Sequence, residues 1–438
     1  MAKKTKATQT PKKTAAAVSA EPATEATGPF FGEPQQSPDP TKFRTPHPSD
    51  DPAYAILDKE ASSLKPLPFP PARGGPEPVL QLQDVFGAQG PAIIKDITQG
   101  KQIVFHALGD TGNTRSVKPQ NEVTDKLVAD FDEQNPALVP SFLFHLGDVV
   151  YSFGEAQYYY DQFYEPYRGY QGPIIAIAGN HDGMVAPGSP APTLQAFLNN
   201  FCASASGQTA ESGGLERTAM IQPGVYYTLE APFVRILALY SNRLEDPGII
   251  SSEKKKYPDM PDVQLDFLTA ALKRIKSENF AGAVIFAVHH PPYAFGRHGG
   301  SPNMLAQMDA ICKSTGVWPH AVLSGHAHSY QRYTRAVGKT EIPYIISGNG
   351  GHGLTPLVRS GEPALRAPSA LAGTPGVTFE SYDDSDYGYL RVTVNAQQLR
   401  IEYHPASDGA ATKTPDDSVT VDLKNRVLVH YKAAAAGA

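Results

Sequence analysis

Eight side chains of metal-binding type follow apolar runs in this chain: Asp110, Asp148, Tyr151, Asn180, His181, His289, His326 and His328. The stretch Leu143–Tyr151 (LFHLGDVVY) shows the pattern most clearly. An apolar run breaks off in Gly-Asp, and a tyrosine follows the aspartate by three positions. A short apolar run closed by a turn signal reads as a buried strand leading into a loop. In open α/β sheets ligands gather beyond the carboxyl ends of the strands, where Asp148 and Tyr151 would project. Carboxylate, phenol and amide oxygens mixed with imidazoles suit zinc, iron or manganese better than copper or a thiolate-loving ion. Eight such residues exceed what one ion needs. Two ions sharing a bridging carboxylate would use all but one histidine, and two ions about 3.5–4 Å apart are suited to in-line displacement at phosphorus. Singly, each loop has a plainer explanation: Gly-Asp after a strand is ordinarily a turn, and His326 and His328 could form a buried hydrogen-bonded pair. Five such loops in one chain argue for a metal centre.

The elements that must position these residues are visible as periodicity. Gln102–Asp110, Ser141–Tyr151 and Pro173–Gly183 read as strands running into loops, and Gly282–Tyr293, His320–His328 and Pro343–Gly351 repeat the pattern. Between them, Asn121–Gln134 places Val123, Leu127, Val128 and Phe131 on one helical face, and a Tyr-rich helix is expected from Glu155 to about Tyr167. Pro261 opens an amphipathic helix carrying Val263, Leu265, Phe267, Leu268, Ala271, Leu272 and Ile275, and another helix is expected near Met304–Lys313. Val225–Glu230 and Phe233–Leu239 read as a hairpin, while Tyr389–Val394, Leu399–Tyr403 and Val419–Leu423 are late strands closing a sheet. Strands alternating with helices, then meandering strands, predict a two-sheet α/β sandwich with helices outside.

The rest of the chain sets bounds. Its 438 residues allow a substantial core, and the net charge of −6 gives no reason to expect nucleic acid or a membrane surface as partner. Cys202 and Cys312 are the only cysteines, too far apart for a thiolate metal motif, and read as ordinary buried residues. No run approaches the roughly 20 apolar residues of a membrane span. The N-terminal stretch is basic without the apolar region of a secretory signal, so the chain reads as cytoplasmic. Residues 1–95 are expected to be a largely disordered basic and Pro-rich extension, dispensable for catalysis up to about residue 75. Within them Asp51–Lys65 is a candidate docking helix, the Pro-rich run after it a linker, and Val79–Phe86 a brief strand or apolar clamp. The catalytic domain then spans 96–430, and 431–438 is an Ala-rich tail.

The blocks Gly109-Asp110-Thr111-Gly112, Gly147-Asp148-Val149-Val150-Tyr151, Gly179-Asn180-His181-Asp182, His289-His290-Pro291 and Gly325-His326-Ala327-His328 resemble those of calcineurin-like metallophosphoesterases. Many members of that superfamily carry Asp-x-His in the first block. Gly112 stands here at the histidine position and Tyr151 follows the second aspartate, which resembles the purple acid phosphatase branch. The resemblance covers roughly residues 100–405 and implies a four-layer α/β/β/α metallophosphoesterase sandwich of two mixed β-sheets flanked by helices. It also implies two metal ions, Fe(III) with a divalent iron, zinc or manganese. The ferric ion would take Asp110, Asp148, Tyr151 and His328, and the divalent ion Asp148, Asn180, His289 and His326, with Asp148 bridging. His181 and His298 would face substrate, and His290 and His352 are weaker pocket candidates. The third block ends in Asp182 where the family more often has Glu, and either carboxylate can orient a ligand.

The implied reaction is in-line attack at phosphorus by a metal-bound hydroxide, with imidazoles supplying protons near their unperturbed pKa of about 6.5. The expected activity is that of an acid phosphatase on small phosphate monoesters. A phosphodiesterase on nucleotides or phospholipids with the same centre is the alternative, and a non-catalytic metal-containing binding protein the third. The oligomeric state is open.

Overall fold

The structure, a computed structural model, describes residues 28–32, 65–66, 68–114, 116–358 and 360–429. In chain order its elements are β1 (Val79–Gln81), α1 (Leu82–Val85), α2 (Gly90–Gln99), β2 (Gln102–Leu108), α3 (Lys118–Ala129), β3 (Leu143–His145) and β4 (Ile174–Ala176). There follow α4 (Asn180–Gly183), α5 (Gln195–Phe201), β5 (Tyr227–Ala231), β6 (Val234–Leu239), α6 (Val263–Ser277), β7 (Ala283–Val288), α7 (Pro302–Thr315) and β8 (Ala321–Ser324). The chain ends in β9 (Tyr330–Val337), β10 (Thr340–Ser347), β11 (Ser369–Ala370), β12 (Val377–Asp383), β13 (Gly388–Asn395), β14 (Gln398–Pro405), β15 (Asp417–Asp422) and β16 (Val427–Leu428).

The strands form two mixed sheets. One runs β1-β5-β6-β7-β8-β10-β9-β12-β11 and the other β16-β15-β14-β13-β2-β3-β4. In each sheet the strands that carry candidate ligands are parallel neighbours: β7 and β8 in the first, with β10 parallel beside β8, and β2, β3 and β4 in the second. Strands β7 (AVIFAV) and β8 (AVLS) are buried along their whole length, as parallel strands covered on both faces must be. Helix α6 turns Phe267, Leu268, Ala271, Leu272 and Ile275 inward and packs against α7 and β6, while α2 packs on β2. The four-layer sandwich of two mixed sheets flanked by helices is therefore the observed architecture. Among the described residues no helix is long and apolar enough to cross a membrane, and Cys202 and Cys312 are buried free thiols.

Several local expectations are corrected. The boundary at residue 96 falls inside α2, and β1 pairs in parallel with β5, so the first sheet draws on residues ahead of it. The Pro-rich run is packed: Phe69 is buried against Tyr226 and Tyr240, and the Arg73 guanidinium donates to the carbonyls of Cys202, Ala203 and Gln222 at 2.7, 2.9 and 2.8 Å. The helix expected over Asp51–Lys65 lies, but for Lys65, outside the described residues, as does the Ala-rich tail. The Tyr-rich segment is no continuous helix; it holds a short 3-10 turn at Ala156–Tyr158 and a π-helical turn at Tyr160–Tyr164. Strands β9 and β12 have no counterpart in the sequence reading, because Gln331, Arg332, Thr334 and Arg335 interrupt any apolar run in β9.

Candidate dinuclear metal centre

Each candidate ligand leaves the carboxyl end of one of the six parallel strands. Hydrogen bonds between the strand ends tie the loops, and through them the two sheets, together: Gly109 N–H donates to Ser347 O at 2.8 Å, Asp110 N–H to Gly147 O at 2.9 Å, and Gly325 N–H to His289 O at 2.9 Å. Three of the candidate ligands, Asp110, Asp148 and His326, hold left-handed backbone at φ 58°, 52° and 69°. Non-glycine residues are rarely kept there, and such strain gathers at functional sites. The loops also pass close to one another. A methyl group on Gly179 would lie 2.1 Å from Asp148 Oδ1, so that approach requires glycine.

Two adjoining clusters result. In one, the Tyr151 hydroxyl donates to Asp110 Oδ1 at 2.9 Å and lies 3.2 Å from His328 Nε2, which is 3.5 Å from the same Asp110 oxygen. In the other, Asn180 Oδ1 lies 3.0 Å from His289 Nε2 and 3.1 Å from His326 Nδ1, and Asp148 Oδ2 is 3.2 Å from His289 Nε2. His289 Nε2 is also 4.0 Å from Asp110 Oδ1, which joins the clusters. Asp148 Oδ1 accepts the His181 N–H at 2.8 Å, whereas Asp148 Oδ2 is buried without a hydrogen-bond partner among the described residues. Asp148, His289 and His326 bring potential ligand atoms within 4.8 Å of one another. All seven expected ligands are thus in one place.

The electrostatics fit a cation. Burial, with Asp148 beside it, pushes the Asp110 carboxyl up to about 7. Burial would raise Asp148 too, but His289 and His181 overcome it and hold this carboxyl below its usual range. Burial opposes a charge on His289, yet Asp148 and Asp110 prevail and push it up to about 9. Burial and the neighbouring histidines hold His326 and His328 well below 6.5, in the neutral form a metal ligand needs. Burial, with Asp110 and Asp148, raises the Tyr151 phenol well above 10, so its ionisation calls for a nearby cation. Hard oxygen donors, neutral imidazoles and the orphaned Asp148 Oδ2 together fit two metal ions.

The surroundings fix these groups. Asp182 accepts from the N–H groups of Val149 at 3.0 Å and Gly179 at 2.8 Å, bracing two ligand loops with one carboxylate. Gln162, on the π-helical turn, accepts from Tyr151 N–H at 2.7 Å and donates to Tyr151 O at 2.6 Å. A methyl group on Gly112 would lie 2.3 Å from Gln162 Oε1 and 2.8 Å from Val150 Cα, so the first loop has no room for a histidine at that position. The His352 ring stacks on Tyr151 with centroids 3.6 Å apart, and its Nδ1–H donates to Gly112 O at 2.7 Å. His289 Nδ1–H donates to Leu146 O at 2.8 Å, leaving Nε2 for the centre. His181 and His298 both reach the site: the His181 ring lies 4.4 Å from that of Tyr151, and the His298 ring 4.4 Å from that of His326. His290 is bound instead to Ser241 Oγ at 2.7 Å and Leu244 O at 2.8 Å. Sequence reasoning missed Gln162 and Asp246. Asp246, 3.3 Å from His298, sits in a charged loop whose only cue was the Glu-Asp-Pro turn.

A family model described as calcineurin-like phosphoesterase matches residues 103–330, more than half of the chain. A second, described as iron/zinc purple acid phosphatase-like protein C, matches residues 342–413. Among solved structures, the purple acid phosphatase PPD1 from yellow lupin (Lupinus luteus) seeds is 17% identical, with a TM-score of 0.49, covering 73% of this chain and 54% of that one. The chain thus spans about half the length of the lupin structure. GAP50, described as the anchor in the inner membrane complex of Plasmodium, is 13% identical, with a TM-score of 0.47, covering 74% and 91%. A dimetal phosphatase from Danio rerio is 12% identical, with a TM-score of 0.42, covering 73% and 99%. A search of curated proteins returns no match.

Proposed function

Since the chain belongs to the calcineurin-like phosphoesterases, with a purple acid phosphatase-like C-terminal region, and is thereby a phosphoester hydrolase, we propose that it is a phosphomonoesterase of purple acid type. Asp110, Asp148, Tyr151 and His328 would hold a ferric ion, and Asp148, Asn180, His289 and His326 a divalent one. The observation that carries this reading is the Tyr151 hydroxyl 2.9 Å from Asp110 Oδ1 and 3.2 Å from His328 Nε2. A phenolate at that point is a hard anionic donor, suited to Fe(III). When bound, two such ions lower the pKa of water from about 15.7 toward 7 and neutralise charge on the phosphoryl group.

The protein's own groups do the rest. Asp148, whose Oδ1 accepts the His181 N–H and whose Oδ2 lies 3.2 Å from His289 Nε2, would serve both ions. Asn180 and the histidines hold the phosphoryl oxygens' surroundings fixed, so that little reorganisation accompanies the growth of charge. His181 gives its Nδ1–H to Ser152 O at 2.8 Å, which leaves Nε2 toward the pocket. His298 is held likewise through Nδ1 by Asp246. With Nε2 protonated as well, each ring can donate that proton to a phosphate oxygen or to the departing alkoxide and keep its Nδ1–H, a contribution of typically 10²–10⁴-fold.

Iron-loaded, oxidised protein is expected to absorb in the visible through tyrosinate-to-iron charge transfer, and Tyr151→Phe to lose the band while keeping its fold by circular dichroism. A colourless wild-type protein that contains iron would remove the purple assignment and leave the two-metal hydrolase. Turnover of a chromogenic monoester against its bis-ester separates the phosphatase from a diesterase.

A further inference from the structure

Asp246 lies on the loop between β6 and α6, in the run Glu245-Asp246-Pro247. Its two carboxylate oxygens address two different imidazoles. Oδ2 accepts from His298 Nδ1–H at 3.3 Å, and Oδ1 lies 3.5 Å from His326 Nε2. The three side chains bring potential donor atoms within 4.8 Å of one another. His326 belongs to both clusters: its Nδ1 is 3.1 Å from Asn180 Oδ1, while Nε2 is buried with no hydrogen-bond partner among the described residues.

The loop is anchored two residues to either side of Asp246. Leu244 O accepts from His290 Nε2 at 2.8 Å, and Gly248 N–H donates to Ser301 Oγ at 2.8 Å. His290 adjoins the ligand His289, so the chain that carries Asp246 is tied to the strand that carries the centre. The carboxylate is itself 38% exposed, so no packing demand explains where it stands.

We infer that Asp246 is a positioning residue that sets, with one carboxylate, the ring of the metal-facing His326 and the ring of the substrate-facing His298. The inference rests on the two-metal hydrolase reading above and adds a residue to it. A carboxylate beside the far nitrogen of a ligating imidazole favours the proton on that nitrogen; Asp246 stands 3.5 Å from His326 Nε2, within reach of the hydrogen bond that would fix the ring, and loss of such a contact typically costs 10–100-fold in metal affinity or activity. On His298 the same carboxylate fixes the tautomer that leaves Nε2 for substrate.

The test uses the full chain with Asp246→Ala, Asp246→Asn and Asp246→Glu. Metal per chain, kcat and KM on a chromogenic monoester, and inhibition by inorganic phosphate are measured. Wild type should carry two ions. Asp246→Ala should lower kcat 10–100-fold, release one of the two ions more readily on dialysis against a chelator, and weaken inhibition by phosphate. Asp246→Glu should recover part of each, and Asp246→Ala should cost less in a His298→Ala background. Unchanged kcat and metal retention in Asp246→Ala would remove the role. A rise in kcat would make the carboxylate an obstruction of the pocket. A third ion in wild type, lost in Asp246→Ala, would make the cluster a cation site instead. A wild type that binds two ions and turns over, with indifferent variants, sinks the inference alone; one that neither binds nor turns over sinks the underlying reading as well.

Discussion

At the scale of single residues, Gly112 shows how closely the tyrosine-bearing second loop constrains the first. A methyl group there would sit 2.3 Å from Gln162 Oε1 and 2.8 Å from Val150 Cα, and the second of these is backbone. Gly112→Ala is therefore expected to destabilise the fold by about 1–3 kcal/mol, the usual cost of overpacking. It should also weaken metal retention, because Gln162 cannot move without releasing the Tyr151 backbone. Urea denaturation and metal analysis check this, and a variant of wild-type stability and metal content would show that the loops have slack. The strand-end ligands were legible in the sequence for a physical reason. Asp or Asn beyond one buried strand is ordinary turn chemistry, but its repetition, with His, beyond five apolar runs stands out. Asp246 and Gln162 were not legible, since Asp246 lies well beyond the end of β6 in a charged loop and Gln162 sits on a π-helical turn, so neither directly follows an apolar run.

At the scale of elements, the run before β1 acts as a clamp on the segment between α5 and β5. The Arg73 guanidinium ties down carbonyls at Cys202, Ala203 and Gln222, and its N–H reaches Pro223 O at 2.8 Å. Arg73→Ala should cost about 2 kcal/mol, as expected for hydrogen bonds to a charged group. Turnover per folded molecule should be unchanged, since none of these partners touches the metal cluster. A fall in kcat at full folding would place this clamp in the catalytic machinery. Alternation and apolar runs revealed β2 to β4, β7, β8 and β10, where both faces are covered. They concealed β9, whose Gln331 holds Phe295 N–H at 2.9 Å and whose Arg332 pairs with Asp417 at 2.8 Å. Polar side chains satisfied by tertiary partners look, in sequence, like loop. The Pro-rich run misled in the same way, for proline content predicts a lack of regular structure and not a lack of packing.

At the scale of the whole molecule, buried histidines away from the centre couple stability to acidity. Burial lowers His320 to about 3 and His404 to about 4, and neither ring nitrogen of His404 has a hydrogen-bond partner among the described residues. With a folded pKa below the unfolded value of about 6.5, the unfolded chain takes up the proton first as pH falls. The stability tied to each neutral ring is complete above about 6.5 and is lost toward its folded pKa, by up to about 1.4 kcal/mol per pH unit. His404→Phe keeps the stacking on Tyr389, whose ring centroid is 5.5 Å away. Its stability relative to the unmodified chain should therefore improve steadily between pH 6.5 and 4.5 in urea titrations; a constant difference would refute the linkage. An enzyme that works in mild acid would then do so with part of its stability withdrawn. The central claim, two cations joined by Asp148, is met most directly by anomalous scattering from crystals of the metal-loaded chain. Two peaks about 3.5–4 Å apart are expected astride Asp148, one against Asp110, Tyr151 and His328, the other against Asn180, His289 and His326. A single peak, or peaks away from Asp148, would contradict it.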